Sequence, residues 1–376
     1  MQQGLQQVFP AAVLHITQNT QTIFHRAYGW IDPEQQTGQV HRQTLFDIAS
    51  LSKLFTATVL MQALQTNQLG LQTPITRVLP EMQGKHPLLP GIDPHSKQVQ
   101  PQDPALAHKK VDAGQITFWH LLTHTSGLAA WENLCNDTHN SLPPFPQHLP
   151  AKITQRRIKH LLRTPRFVYL PGTRFLYSDL GFILLGEAVT RLTGKSLQDS
   201  VITTVCEPLG MKFCTYRPLT CYSQQQIAPT EYCPWRQRRL WGEVHDENAS
   251  CLGGIAGHAG LFASASDVSC LGHAMLKARA SNTFLSEMTH EQYHWQGVRR
   301  GLGWQLASDF DNPVGPGFSP HSFGHTGFTG TSLWVEPEQQ LVITLLTNRV
   351  YYGRNSEPIT QFRMRLHSFI ASELVH

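Results

Sequence analysis

Apolar residues cluster first in two strand-type runs, 11–18 (AAVLHITQ) and 22–29 (TIFHRAYG), with Gln18-Asn19-Thr20-Gln21 between them. The pattern predicts a β-hairpin, preceded by a short helix over residues 2–8. A polar loop, 32–43, follows. Leu54, Phe55, Ala57, Leu60 and Met61 then recur at helical spacing and predict a helix from Ser52 to about Asn67. Residues 80–114 carry no period and are rich in Pro, Gly, Asp, His and Lys, which predicts a long surface loop. Helical patterns return from Thr117 to Ser126-Gly127, over about 153–163, within 171–193 and over roughly 197–208. The segments 135–150 (Pro-rich) and 213–250 read as irregular. A glycine-rich stretch, 252–265, leads into a helix from Asp267 to about Ala280. The last part reads as strands at 301–307, 322–326, 330–336 and 341–347, closed by a helix over roughly 356–373. LVITLLT, uniformly apolar but for its threonines, predicts a strand buried on both faces.

Strands at both ends and helices in the middle point to one sheet built from both termini, with a mostly helical domain inserted. The expected boundaries are about 1–68 and 241–376 for the sheet-bearing part, and about 69–240 for the helical part. There is no internal repeat.

Composition narrows the function classes. The 376 residues are 40% apolar and 15% charged, which fits a globular chain. The net charge is +4, and apart from Arg236, Arg238 and Arg239 the basic residues are scattered. No basic stripe with interleaved aromatics is present, so nucleic acid is not an expected partner. No apolar run approaches the ~18 residues that span a bilayer. The N-terminus has no basic region before its short apolar piece, so it does not read as a signal peptide. A cytoplasmic location is expected, or a periplasmic one if a leader was removed. Seven cysteines, without a Cys-x-x-Cys pair, suggest reduced thiols. Four fall at 206, 214, 221 and 233, and their spacings of 8, 7 and 12 match no zinc pattern.

Candidate chemistry begins at Ser50-Leu51-Ser52-Lys53. A serine at a helix start meets unpaired backbone N–H groups and the positive end of the dipole. A lysine three residues on lies on the same face, so Ser50 Oγ and Lys53 Nζ can meet. Burial lowers a lysine's pKa, and a neutral lysine can take a serine proton. The same four residues also fit a serine cap followed by a surface lysine. No other lysine in the chain has a serine three residues before it. Tyr177-Ser178-Asp179 begins another helix, and Tyr177 is the only one of nine tyrosines in a Tyr-x-Asp/Asn setting. A phenol facing a lysine can act as a base, although this triplet also reads as a cap with a packed tyrosine. His325-Thr326-Gly327, read as an edge-strand segment, offers a titratable ring, a hydroxyl and room for a ligand backbone. Phe328 follows with an N–H that can join the Ser50 N–H in an oxyanion hole. A glycine-bearing hairpin turn is the other reading. His120 and His124, at i and i+4, lack the Glu of a His-Glu-x-x-His site, so His124 is read as structural. His245, Asp246, Glu247 and Asn248 are metal-like in type and also fit a buried polar network.

In this order and at these spacings, the three motifs resemble the signatures of the class C β-lactamase-like serine hydrolases. That superfamily includes penicillin-binding DD-peptidases, D-aminopeptidases and esterases. Further stretches fit it: AYGWID at 27–32, TLFDIASLSK at 44–53, LLTHTSGL at 121–128, PGTRFLYSDLGFILLGE at 171–187, GEVHDENA at 242–249 and GGIAGHAGLF at 253–262. The resemblance implies an α+β fold (an α/β sandwich) with an antiparallel sheet flanked by helices, a helical domain, and a site in the cleft between them. It implies Ser50 as the acylated nucleophile, Lys53 as its proton partner and Tyr177 as base or shuttle. It implies an oxyanion hole from the Ser50 and Phe328 amides. It implies substrate contacts from Asp179, His325, Thr326 and Gly327, and it implies no metal or cofactor.

Two positions depart from the β-lactamase pattern. Asp179 stands where Asn is usual, which should hold the Lys53 pKa up and removes an N–H donor. His325 stands where Lys is usual, and a histidine is mostly neutral near pH 7. Both argue against efficient penicillin hydrolysis. The expectation is a serine hydrolase acting on a small ester or a D-amino-acid amide or peptide, with an esterase favoured. A DD-peptidase or weak β-lactamase is the alternative, and a catalytically silent binder of peptide or peptidoglycan-like ligands is the alternative of another class.

Overall fold

The structure, a computed structural model, describes residues 1–135, 144–281, 283–308 and 314–374. Residues 136–143 of the Pro-rich 135–150 segment therefore lie outside the described residues. Ala11–Gln18 lies third from one edge of the main sheet, pairing antiparallel with Leu341–Thr347 on one side and Gln21–Asp32 on the other. Among the described residues the sheet has nine strands. Outward from Leu341–Thr347 come Ser332–Glu336, Phe323–Thr326, Gln305–Leu306, Val298–Arg300 and Tyr293–Trp295, while Thr37–Gln39 closes the other edge. The sheet is thus built from both chain ends, as the pattern predicted.

Strand alternation decides the two faces. Val13, Val342 and Leu346 point into the main core beneath helix Ala265–Ala280. Ala12, Leu14, Ile16, Leu341, Ile343 and Leu345 point the other way, onto Ile359, Phe362 and Ile370 of the C-terminal helix Glu357–Leu374. Leu341–Thr347 is buried at every position, because helices cover both faces.

Helix Ser52–Thr66 is buried on nearly all sides and lies against helix Asp179–Thr193. A helix enclosed in this way is apolar all round rather than amphipathic. The helix expected from Thr117 to Gly127 is shorter, Phe118–Leu122. His124 follows it in a left-handed conformation, φ 59°, so His120 and His124 do not share a helix face. The 80–114 segment is mostly turns, pinned by a strand pair, Lys85–Pro87 with Lys110–Asp112. The hairpin Tyr293–Trp295/Val298–Arg300 was not expected from the sequence. Its residues YHWQGVRR are too polar to read as strands.

The cysteine expectation needs correction. Cys135 and Cys251 form a disulfide, joining the segment after Trp131 to helix Glu247–Cys251. The cysteine content therefore no longer argues for a cytoplasmic location. Cys206, Cys214, Cys221, Cys233 and Cys270 are free. Among the described residues, no helix is long and apolar enough to cross a membrane.

Candidate active site

Ser50 lies in a one-turn 3-10 segment, Ala49–Leu51, just ahead of the helix that begins at Ser52. Asp47 shapes this turn. Its Oδ1 accepts from the Ala49 amide at 2.8 Å and its Oδ2 from the His245 amide at 2.7 Å. Ala49 takes φ 47°, an uncommon conformation for a residue with a Cβ, and turns the chain so that Ser50 reaches the cleft. Asp47 was not singled out from the sequence, though it stands in the TLFDIASLSK stretch.

Lys53 Nζ donates to Ser50 Oγ at 2.9 Å and to the His258 carbonyl at 3.1 Å, and lies 2.7 Å from Asp179 Oδ1. The predicted Ser50–Lys53 meeting is therefore present, and Asp179 joins it. The Lys53 side chain is 0% exposed. Burial by itself pushes its pKa down, but the Asp179 carboxylate, aided by Tyr177, leaves it above the ordinary lysine value. This corrects the expectation of a neutral lysine and bears out the expected effect of a carboxylate at 179. The His258 contact depends on Gly257: a Cβ there would come within 2.0 Å of the Phe182 carbonyl and push helix Asp179–Thr193 away.

Ser178 is the cap of that helix, accepting from the Gly181 amide at 3.2 Å and donating to the Ala129 carbonyl at 2.6 Å. Capping thus falls to Ser178, and Tyr177 and Asp179 on either side are left to face the cleft. Lys53 Nζ stands 4.9 Å from the Tyr177 ring centre. Behind Tyr177 lies the His124 ring at 4.5 Å, and His124 Nδ1 accepts from the Ser178 amide at 3.1 Å. His124 is therefore a support for the second motif.

His325 and Thr326 run past the end of their short neighbour Gln305–Leu306, whose pairing stops at Gly324. The strand is interior rather than an edge, but these two residues are open on the cleft side. His325 is 3% exposed, and its Nδ1 donates to the Thr326 carbonyl at 2.8 Å. Burial, reinforced by Arg300 and Lys53, holds its pKa well below the ordinary histidine value. Gly327 serves the protein's own backbone: a Cβ would meet Thr331 Oγ1 at 2.1 Å and the Ile48 carbonyl at 2.6 Å. It lets the third motif close on the nucleophile's turn. Thr329 and Thr331 fasten that closure, donating to the Asp47 and Ile48 carbonyls at 2.7 and 3.1 Å.

Two cavities meet at Ser50. One, about 190 Å³, is bounded by Lys97, Trp131, Asp179, Asp246, Glu247 and His258. The other, about 380 Å³, is bounded by Arg300, Gln305, His325, Arg349, Thr360 and Arg363. Tyr177, Phe328 and His95 border both, and the His95 ring faces Phe328 at 5.8 Å. His95 and Lys97 bring the 80–114 segment to the site.

Asp179, Asp246 and His258 offer ligand atoms within 4.8 Å of one another. Lys53 already supplies a cation to Asp179, and His258 Nε2 is engaged with Asp246 Oδ1 at 2.8 Å. Asn248 belongs to a polar network, accepting from the Leu134 amide at 3.1 Å and donating to the Glu132 carbonyl at 2.8 Å. Sequence reading missed Arg300 and His258 as site residues. Arg300 shares a hairpin too short to leave a period, and His258 was seen only as part of GGIAGHAGLF.

Comparison with known proteins shows the family and the fold. The family model described as Beta-lactamase matches residues 1–364. The N-acetylmuramyl-L-alanine amidase of Bacillus subtilis (strain 168) is 28% identical over 368 residues, covering 91% of this chain and 77% of that protein. A putative D-alanyl-D-alanine carboxypeptidase of Escherichia coli (strain K12) is 27% identical over 370 residues, covering 91% and 79%. Among solved structures, EstCE1, a hydrolase with promiscuous acyltransferase activity, superposes with a TM-score of 0.68 at 20% identity, covering 96% of each chain. A class C beta lactamase from Rhodobacter sphaeroides gives 0.66 at 19% identity, covering 98% and 97%. With the three motifs gathered around one cleft and the family match running through nearly all of its length, the chain belongs to the beta-lactamase family of hydrolases.

Proposed function

We propose that the protein is a serine hydrolase acylated at Ser50 Oγ, acting on a small ester or a D-amino-acid amide or peptide. The observation that carries this is the Ser50–Lys53–Asp179 contact chain, 2.9 and 2.7 Å long, at the junction of two cavities. Ser50 Oγ attacks the substrate carbonyl. Its proton passes to the Lys53–Tyr177 pair in the form that can take it, with Tyr177 as phenolate beside charged Lys53, and leaves Tyr177 a neutral phenol. The carbonyl oxygen becomes an oxyanion held by the Ser50 and Phe328 amides. In support, the Phe328 amide has no backbone acceptor among the described residues. The bond to the leaving group breaks, and the leaving group takes the proton from the pair. Water then attacks the acyl carbon, giving up its proton by the same route, and Ser50 is released as the alcohol.

The ester preference drawn from the sequence rested on Asp179 and on the loss of a cation at position 325. Arg300 and Arg363 restore positive charge beside that position, so peptides and amides come first and the esterase becomes the second reading. The names of the two curated relatives, both for enzymes of peptidoglycan-type amide bonds, support this order.

Intact mass after incubation with a fluorophosphonate tests the nucleophile. A single adduct on the wild type, absent from Ser50→Ala, is expected, with turnover of any substrate in that variant lowered on the order of 10⁴-fold or more. No adduct on folded protein leaves the silent binding protein instead. A panel of D-alanyl peptides, p-nitrophenyl esters and nitrocefin then orders the substrates.

A further inference from the structure

Two of the free cysteines lie against each other. Cys206 and Cys214 are 2% and 7% exposed, and the Cys206 thiol donates to the Cys214 sulfur at 3.3 Å. Cys206 ends a π-helical turn, Ile202–Cys206, that continues helix Leu197–Val201. The chain then turns back through Gly210, φ 68°, and the Met211 amide donates to the Cys206 carbonyl at 2.9 Å. Cys214 opens strand Cys214–Tyr216, so the two thiols meet across a short closed loop. The pair sits behind the nucleophile's turn. Cys214 pairs with Ala263 of strand Leu261–Ala263, whose other edge pairs with Phe46–Asp47. The Leu261 carbonyl accepts from the Ile48 amide at 3.1 Å, and the Leu261 amide donates to Ser52 Oγ at 3.2 Å. This small three-stranded sheet is the floor on which the Ser50 turn rests.

The chemistry open to such a pair is narrow. A structural metal needs further ligands, and among the described residues no third His, Cys, Asp or Glu side chain completes a set with these two. A catalytic nucleophile needs an accessible thiolate, whereas burial, reinforced by Cys206, pushes the Cys214 thiol well above its ordinary value. A disulfide needs only two sulfurs within reach. Bonded sulfurs lie about 2.0 Å apart, so a shift of about 1.3 Å closes the gap. The chain already carries the Cys135–Cys251 disulfide, so oxidation is chemistry that its thiols meet.

We propose that Cys206 and Cys214 are a redox modification site: they close a second disulfide, which staples the sheet beneath Ser50 to the helical segment Leu197–Cys206. The oxidant is a small disulfide such as oxidised glutathione. One protein thiolate attacks a sulfur of it and expels one glutathione, leaving a mixed disulfide. The other protein thiolate attacks the protein-side sulfur of that bond and expels the second glutathione. Two protein thiols are oxidised, one glutathione disulfide is reduced, and the two protons leave on the two glutathione thiols. Burial slows the first attack in the folded chain, so the bond forms fastest while the loop between the two cysteines is open. Cys221, Cys233 and Cys270 stay reduced.

The test needs no substrate, so it stands apart from the reading of Ser50 as nucleophile. The full chain is incubated with oxidised glutathione, both in buffer and in urea just below the unfolding midpoint. It is then quenched in acid, unfolded, alkylated with N-ethylmaleimide without reduction, and digested for peptide mapping. Cys206 and Cys214 should be recovered joined to each other, with Cys221, Cys233 and Cys270 alkylated. Alkylated Cys206 and Cys214 under both conditions overturn the proposal. So does a bond from either of them to another cysteine, or a mixed disulfide that goes no further. The second readout is heat. Oxidation should raise the Tm of the wild type by about 2–5 °C. Cys206→Ala and Cys214→Ala, made separately, should each lose that rise. A bond that forms without raising the Tm, or a rise that both variants keep, refutes the staple.

Discussion

The two cavities that flank Ser50 are made of different material. The larger is walled by hydrogen-bonded strands and the helix behind them: Arg300 ends one strand, His325 lies on another, and Arg363 is on helix Glu357–Leu374. The smaller is walled by loops and a one-turn helix, brought together from the 80–114 segment, Trp131 and residues 245–258. Their charges are also handled differently. On the loop side nearly every charge is already answered: Lys97 lies 3.3 Å from Glu247 and 3.8 Å from the Trp131 ring centre, and Arg354 bridges Glu231 and Glu247 at 2.6 and 2.8 Å. On the sheet side Arg300 is unanswered. Paired charges on loops fasten those loops in place, whereas an unpaired charge on a rigid strand is poised for a ligand. The charge left without a partner and the charges that shape the pocket therefore lie on opposite sides of Ser50.

The largest expected effect comes from adding charge to the sheet side. His325→Lys places a further cation beside Arg300 and Lys53 in a buried site. We expect a loss of about 3 kcal/mol of stability, read by urea denaturation at pH 7. An unchanged midpoint would mean that this wall tolerates charge without a partner, which would weaken the contrast. Comparable in size is reduction of the Cys135–Cys251 disulfide, which closes a long loop on the other side. Its removal should cost about 2–4 kcal/mol and loosen the loop cavity. Hydrogen exchange should rise in helix Glu247–Cys251 and not in the strand Phe323–Thr326; a uniform rise would show that the two walls are not independent.

The smallest effect is that of pH, which acts with the same sign on both walls but over different ranges. Burial holds His325 and His124 well below their ordinary values, so the unfolded chain binds protons that the folded one refuses. Their contribution is present above about pH 6.5 and is lost as pH falls below it, with a slope of about 1.4 kcal/mol per pH unit for each histidine. On the loop side the loss falls at lower pH. Glu231 is brought down to about 2 against its burial, by Arg354 and His245, so its contribution persists until pH falls below about 4. Tm should therefore decline between pH 7 and pH 5, and His325→Gln should flatten that decline without altering the drop below pH 4. A decline that begins only below pH 4 would remove the histidines from the account.

Much of this molecule is written locally in its sequence. The hairpin of Ala11–Gln18 with Gln21–Asp32, the buried strand Leu341–Thr347 and the helix Ser52–Thr66 each follow from a period that neighbouring residues carry. Ser50 and Lys53 meet because three residues make nearly one helical turn. Tertiary structure decided what no period encodes. Lys53 is charged because a carboxylate 126 positions away lies 2.7 Å from its nitrogen. Cys135 finds Cys251 across 116 residues. Nothing in the sequence around Arg300 singles it out, and only the packing of Phe175, Tyr177 and His325 around it makes it a buried cation whose Nε has no partner. Spacing along the chain fixes which groups share a helix turn or a strand face. Burial and charge at a site depend on which distant segments close over it, and so they appear only in the folded chain.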